Sequence, residues 1–430
     1  MRLLSLLLAG IPLCAQTDVP ITRAEAEQQA LKNNPRITAS RLLALASGQV
    51  TREVHAAQLP QITGNLTAVE AADASRIGAG SLTSSRLFSH AGAGGTFTQL
   101  VTDFGHTQNL VANAKLLAKA QEQAALATQQ DVLLATDQAF YRLLAAQSLL
   151  DVAKAAQSAR GSVQELTKAL TQSALKSDLD LNVASADYSQ AQLLVLDAEN
   201  AISSASADLA AILNTSQDVT YRALPPPDES TSQPPPTPAS TIPVIAEAQA
   251  QRPDLRALNL DKEAAHKFTL SQELQRLPTI SASAVGGVTP ARPDSVYGQD
   301  WYAAGGVNLS FPFYTGHRIA AQTEEARLRE KAAEQQAQNL SNTIAHDVRV
   351  AILAAQTAFQ RISVTENFRD EAAQALSLAQ TRYKLGLSSI VELSQAQLQS
   401  TQADVAAVNA RYDYLMSLRT LDYSRGLLAP

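Results

Sequence analysis

Two carboxylates stand just beyond sharp breaks in long helical runs. Asp180 closes the stretch S-A-L-K-S-D-L-D at Ser173–Asp180, and Glu392 lies in Y-K-L-G-L-S-S-I-V-E-L-S-Q at Tyr383–Gln395. At the ends of helical hairpins such acids can act in two ways. In the first turn of the next helix they complement its positive end; repeated around a constriction, they form a ring whose field favours cations. For Asp180 the residues leave both readings open.

No other chemistry is spelled out. Six histidines occur without H-x-x-x-H or H-E-x-x-H spacing, and Cys14 is the only cysteine, so no metal-ligand set is offered. Ser, His and Asp residues are present, but no G-x-S-x-G supplies a nucleophile. Gly92–Gly95 leads into a strand rather than a helix, which does not make a phosphate loop. His106 and His317 are expected as polar residues of equivalent turns. The expectation is therefore no enzyme, no cofactor and no metal.

The elements that carry the two acids are long. Aromatic residues make up 5% and charged residues 17%, while Ala, Leu and Gln dominate, the usage of packed helices with small-residue seams. A formal net charge of −6 argues against a nucleic-acid partner, for which a basic stripe is expected. The opening M-R-L-L-S-L-L-L-A-G-I-P-L-C-A reads as a secretory signal peptide over 1–15. Leu13 fits poorly before an acylated cysteine, so removal of Cys14 with the leader is favoured over lipidation. No later run of about 18 apolar residues offers a membrane helix, which leaves a soluble export or a β-barrel.

Residues 16–223 and 242–430 repeat one plan around a Pro-rich connector at 224–241. The first repeat opens at Thr22, whose T-x-x-E spacing to Glu25 predicts a capping box and a helix to about Ala57. Two alternating stretches follow, about 61–70 and 91–101. A long helix over about 106–172 comes next, then a tip at 173–180 and a returning helix to Leu213. In the second repeat, strands fall at about 279–288 and 301–311, the long helix at about 318–382, the tip at 383–391 and the last helix to about Tyr423. Pro35 and Pro60 stand as far apart as Pro253 and Pro278, so the copies share a register. Gly161 could interrupt the first long helix. At 1.5 Å per residue each long helix measures about 100 Å, far more than a globular domain needs.

The strands set the partner. Ile280, Ala282 and Ala284 alternate with Thr279, Ser281 and Ser283, and Trp301, Tyr302, Phe313 and Tyr314 gather at strand ends. That is the pattern of lipid-facing strands with interfacial aromatics. Four such strands cannot close, and a hydrocarbon layer does not tolerate an open edge. The chain must therefore associate, and counting alone leaves the number of copies open.

The doubled order N-P, L-P, strands, D-F-G or Y-x-G, A-F-Y-R-L-L, R-Y-x-L-G and V-E-L-x-Q-A resembles the TolC-like outer membrane efflux proteins over nearly the whole mature chain. Its carriers are Pro35, Pro60, Asp103, Gly105, Tyr141, Pro253, Pro278, Gly316, Tyr383, Gly386 and Glu392. The resemblance implies a mainly α fold with a small β part. Three copies would form a twelve-stranded outer-membrane barrel continuous with a periplasmic α-helical barrel. It implies a passive exit duct for efflux or type I secretion in a Gram-negative-type envelope, in contact with outer-membrane lipid. The periplasmic tip would be opened by an adaptor protein and an inner-membrane pump of RND, ABC or MFS type.

Carried over to this chain, the resemblance places Glu392 in the pore constriction. Gln395 stands where a second acid would lie, which makes the constriction less negative. Tyr383 matches the closing network, and Ser388 replaces its arginine partner, so the latch must differ. The adaptor would dock on Leu175, Lys176, Ser177 and Asp178 of the first tip and on Leu385, Gly386, Leu387, Ser388 and Ser389 of the second. A structural or adhesive helical envelope protein is the competing reading. It accounts for the helices but not for the Pro-flanked strands.

Overall fold

The structure, a computed structural model, describes residues 18–70, 76–77, 85–86, 90–215, 219–225, 234–235, 240–291 and 301–428. The expected leader with Cys14, most of the Pro-rich connector and residues 292–300 lie outside the described residues.

In chain order the elements are β1 (Val19–Ile21), α1 (Arg23–Asn33), α2 (Pro35–Ala56), β2 (Gln61–Val69), β3 (Arg76–Ile77), β4 (Ser85–Arg86), β5 (His90–Thr102), α3 (His106–Gln172) and α4 (Asp178–Leu213). The second half runs β6 (Tyr221–Ala223), α5 (Ile242–Gln251), α6 (Pro253–Leu274), β7 (Thr279–Ala291), β8 (Trp301–Ser310), α7 (Arg318–Lys384) and α8 (Ile390–Arg425). The internal duplication is visible in element lengths. Helices α2 and α6 have 22 residues each, α3 and α7 have 67, and α4 and α8 have 36.

Where one helix was expected from Thr22 to about Ala57, the chain makes two. Asn34 takes an extended conformation (φ −68°, ψ 123°) because the ring of Pro35 clashes with a helical predecessor. The break is held in place: Asn34 Oδ1 accepts from the Arg36 amide at 2.9 Å and Nδ2 donates to the Ile212 carbonyl at 2.8 Å. Arg252 repeats the break before Pro253 (φ −63°, ψ 122°). At the start of α1, Thr22 and Glu25 form the capping box that their spacing predicts. Gly161 does not interrupt α3; it makes room for the Tyr188 ring of α4, which a Cβ there would meet at 3.1 Å.

The chain divides into two compact units, each drawn from both halves of the sequence. One comprises 1–40, 125–253 and 341–430. Its core gathers Phe140, Tyr141, Leu143 and Leu144 of α3 with Ile21, Ile37, Leu209, Leu213 and Tyr412. Buried side chains at consecutive positions of α3 mean that neighbours cover more than one of its faces. Strands β1 and β6 pair in parallel beside this core, a feature too short to show in the hydropathy pattern.

The other unit comprises 41–124 and 254–340 and holds a sheet of order β2-β5-β7-β8, antiparallel throughout. The order is linear, so β2 and β8 each have one edge with no partner strand among the described residues. A tight turn precedes each long helix. Phe104 and Gly105 adopt positive φ (55° and 100°), and so do Gly316 and His317 (59° and 64°). Asp103 caps α3, its Oδ2 accepting from the Thr107 amide at 2.7 Å and from the Thr107 hydroxyl. His106 Nδ1 lies 2.8 Å from the Ser271 carbonyl.

Candidate functional site

The two hairpin tips are built by the same turn from different residues. At the second, the Leu387 amide donates to the Arg382 carbonyl (2.8 Å) and the Gly386 amide to the Tyr383 carbonyl (3.0 Å), with Gly386 at φ 73°. At the first, the Leu175 amide reaches the Leu170 carbonyl (2.9 Å) and the Ala174 amide the Thr171 carbonyl (2.9 Å), with Ala174 at φ 55°. Both are Schellman closures, which need one left-handed residue. Only the second spends a glycine on it.

Beyond the turns, Ser177 and Ser389 cap α4 and α8. Here the two acids part ways. Asp180 returns its carboxylate to Ser177, Oδ2 accepting from the amide (3.1 Å) and the hydroxyl (3.0 Å), which completes a capping box. Glu392 receives the Ser389 cap through its amide, but its carboxylate turns to Arg382, with Oε1 3.1 Å from Nε. Asp178 begins α4 in the open, and Gln395 is exposed one turn into α8.

Tyr383 lies deep in the packing of the two tips. It is 1% exposed, its hydroxyl is 3.0 Å from the Thr167 hydroxyl, and Lys176 Nζ stands 4.6 Å over its ring. Ile390, Leu393 and Ala184 pack in the same cluster, so the tyrosine staples one hairpin to the other inside a single chain. The Ser388 hydroxyl is buried without a hydrogen-bond partner among the described residues. Around this polar knot the surface is apolar: Leu175, Leu179, Leu385, Leu387 and Val391 are each more than half exposed. Arg382 and Thr167 escape the sequence reading. The only local signal for Arg382 was a basic residue in the last turn of α7 facing a first-turn acid of α8.

The sheet sorts its side chains by face. Register places Ile62, Phe97, Ala284 and Leu66 on one side with Val288, Trp301, Val307 and Leu309. On the other stand Thr63, Asn65, Thr96, Thr98, Ser281, Ser283, Tyr302 and Asn308, with Leu100 and Val285 among them. The apolar side is open: Ile62 is 80% exposed, Leu66 89% and Val307 73%. From 61–69, 91–102, 279–288 and 301–310 no Asp, Glu, Lys or Arg projects to either side. Tyr302 lies across the glycines of its face, since a Cβ at Gly94 would meet its hydroxyl at 2.5 Å. Among the described residues no helix is long and apolar enough to cross a membrane, and no group of His, Cys, Asp and Glu is placed to hold a metal ion.

A further charged cluster, absent from the sequence reading, ties α1, α3 and α8. Arg419 lies 2.7 Å from Asp137, 3.3 Å from Asp422 and 3.5 Å from Glu27, which also meets Arg23 at 2.5 Å. Burial pushes the Asp137 carboxyl up to about 7, against the pull of Arg419 and with the help of the hydrogen bond to Glu27.

Comparison with known proteins assigns this architecture. Residues 26–215 and 244–426 match the profile of the outer membrane efflux protein family. The chain is 26% identical over 413 residues to outer membrane protein TolC of Vibrio cholerae serotype O1, covering 94% of this chain and 91% of that one. It is 26% identical over 423 residues to outer membrane efflux protein BepC of Brucella suis biovar 1, covering 96% and 87%. In fold it is similar to outer membrane protein VceC of Vibrio cholerae (TM-score 0.79, 19% identity, 94% of this chain and 96% of that one). It is also similar to the CmeC outer membrane channel of Campylobacter jejuni (TM-score 0.81, 19% identity, 94% and 85%). Both copies of the duplicated plan fall within the matched residues, and the chain belongs to the outer membrane efflux protein family.

Proposed function

We propose that the protein is an outer-membrane exit duct, a passive channel through which an efflux or type I secretion system discharges its cargo. The observation that carries this reading is the sheet. It has one apolar exposed face, one uncharged hydroxyl-bearing face and, among the described residues, two unpaired edges, the make-up of a barrel wall that sister subunits complete. Three copies would supply twelve strands, and their α3, α4, α7 and α8 twelve periplasmic struts. The family match and the outer-membrane relatives support the same location. A structural or adhesive envelope protein would have no use for a lipid-facing sheet, and passive conduction asks for no catalytic group.

At the periplasmic end, Glu392 lines the constriction, moderated by Arg382, and Gln395 adds no charge one turn on. Asp180 contributes mainly as a cap. Tyr383 holds the tips together, Ser388 stands where the arginine partner of the closing network would be, and the exposed leucines beside Gly386, Ser389, Lys176, Ser177 and Asp178 receive a helical hairpin of a periplasmic adaptor. An inner-membrane pump of RND, ABC or MFS type supplies the driving force.

The test is reconstitution. Protein extracted from outer membranes should migrate as a heat-modifiable trimer and form long-lived conducting pores in planar bilayers. A monomer that stays in the aqueous fraction and conducts nothing would falsify the reading.

A further inference from the structure

A cavity of about 180 Å³ opens between α3 and α8, with Leu376 of α7 at one side. Gln397 lines it and is 4% exposed, yet its Nε2 has no hydrogen-bond partner among the described residues. Leaving a buried amide donor unpaired is unfavourable, so such a group marks a place where an acceptor belongs. Thr401, also on the wall, turns its hydroxyl to the Gln397 backbone carbonyl at 2.9 Å and does not reach Nε2 as an acceptor.

The same cavity is lined by Arg160, 4% exposed, whose Nη1 is engaged by the Asp187 carbonyl (3.2 Å) and Gln190 Oε1 (3.4 Å). Among the described residues no carboxylate lies within ion-pair distance of that guanidinium. A buried cation and a buried unpaired donor thus share one chamber. The remaining wall is apolar, through Val152, Ala156 and Leu376.

We propose that this cavity binds a small organic monoanion, a carboxylate on a short apolar body. Its oxygens accept from Gln397 Nε2 and Arg160, and its body packs against Val152, Ala156 and Leu376. The volume equals that of about six waters at roughly 30 Å³ each, which suits an acid of benzoate size. Asp404 completes the wall and opposes an anion while ionised. Burial pushes its carboxyl upward, with Arg369 pulling the other way, so acidification removes that opposition early. Other charged groups beside Asp404 are Arg160 on α3 and Arg369 on α7.

The experiment is calorimetric titration of the purified, detergent-solubilised full chain with benzoate, and with benzylammonium as the opposite charge. Saturable benzoate binding is expected, tightening as the pH is lowered toward the range in which Asp404 takes up its proton. Gln397→Leu should weaken it at least tenfold. Asp404→Asn should tighten it several-fold at pH 7.5 and flatten the pH dependence, a gain that damaged folding could not mimic. Absent benzoate binding, binding indifferent to both substitutions, or preference for benzylammonium would overturn the assignment and leave a hydrated void. None of these readouts depends on conduction, so the duct reading stands or falls separately.

Discussion

Arg382 and Glu392 meet across the second hairpin turn, Nε to Oε1 at 3.1 Å, whereas Asp180, at the same place after the first turn, is folded back onto Ser177. Two acids equal in the repeat are thus unequal in the molecule. One is held as a surface ion pair of two long side chains, the other as part of a helix start.

Charge selectivity should follow that inequality. Glu392→Gln is expected to lower cation preference in single-channel recordings under a salt gradient, and Arg382→Gln to raise it by releasing the paired carboxylate. Asp180→Asn should do less than either. Half-exposed pairs of this kind contribute at most about 1 kcal/mol, so none of the three should threaten folding. Equal reversal potentials for all variants would remove Glu392 from the pore wall.

The turns make a second prediction. Ala174 sits at φ 55°, a region that costs an L-residue about 1–2 kcal/mol and glycine almost nothing. Ala174→Gly should steady the first tip by about 0.5–1 kcal/mol, and Gly386→Ala should loosen the second by a similar amount. Hydrogen exchange at the Leu175 and Leu387 amides, which close the two turns, should slow and quicken respectively by about two- to fivefold.

Stability should respond to pH through Asp137. Its carboxyl titrates at about 7 in the folded chain against an ordinary 3.8, so the folded state holds a proton that the unfolded state has released. That contribution is complete below about pH 4 and is lost as the pH rises through 7. The melting temperature should therefore fall from about pH 4 to about pH 7 and level off above it, and Asp137→Asn should flatten that fall and be the more stable protein at pH 8. A wild-type profile with no drop across that window would show that the carboxyl stays charged.

The sheet offers a graded series. A Cβ at Gly287 would meet the Ala93 carbonyl at 2.5 Å and the Tyr302 ring at 2.7 Å, while one at Gly64 meets nothing within 4 Å. Gly287→Ala should cut the yield of heat-modifiable oligomer severely, and Gly64→Ala should leave it near wild type. Comparable yields would mean that β7 tolerates the displacement and that the close approach of Tyr302 is incidental.

Much of this fold can be read directly from residue patterns, because periodicity is local. The alternation from Thr279 to Ser283 specifies a strand, and the Ala-rich stretch around Phe140 specifies a helix packed on several sides. The breaks at Asn34 and Arg252 were harder to see, since a proline inside a polar helix can begin a helix as well as end one. Ala174 was invisible as a turn residue because its type does not demand a left-handed backbone. Long-range chemistry was hidden altogether. Nothing near Asp137 in the chain announces Arg419, and nothing near Thr167 announces Tyr383; each partnership exists only once helices lie side by side. The tip acids show the middle case, where position was legible and partner was not.

In the proposed duct the uncharged, hydroxyl-bearing face of the sheet would turn inward, and it bears on what could leave by this route. Hydroxyls and amides from Thr63, Asn65, Thr98, Ser283 and Asn308 would keep a water column wetted without attracting either ion sign, so a solute could travel the last stretch still hydrated and unsorted. Discrimination would then be finished before cargo reaches the outer leaflet, and the final opening would serve as an indifferent spout.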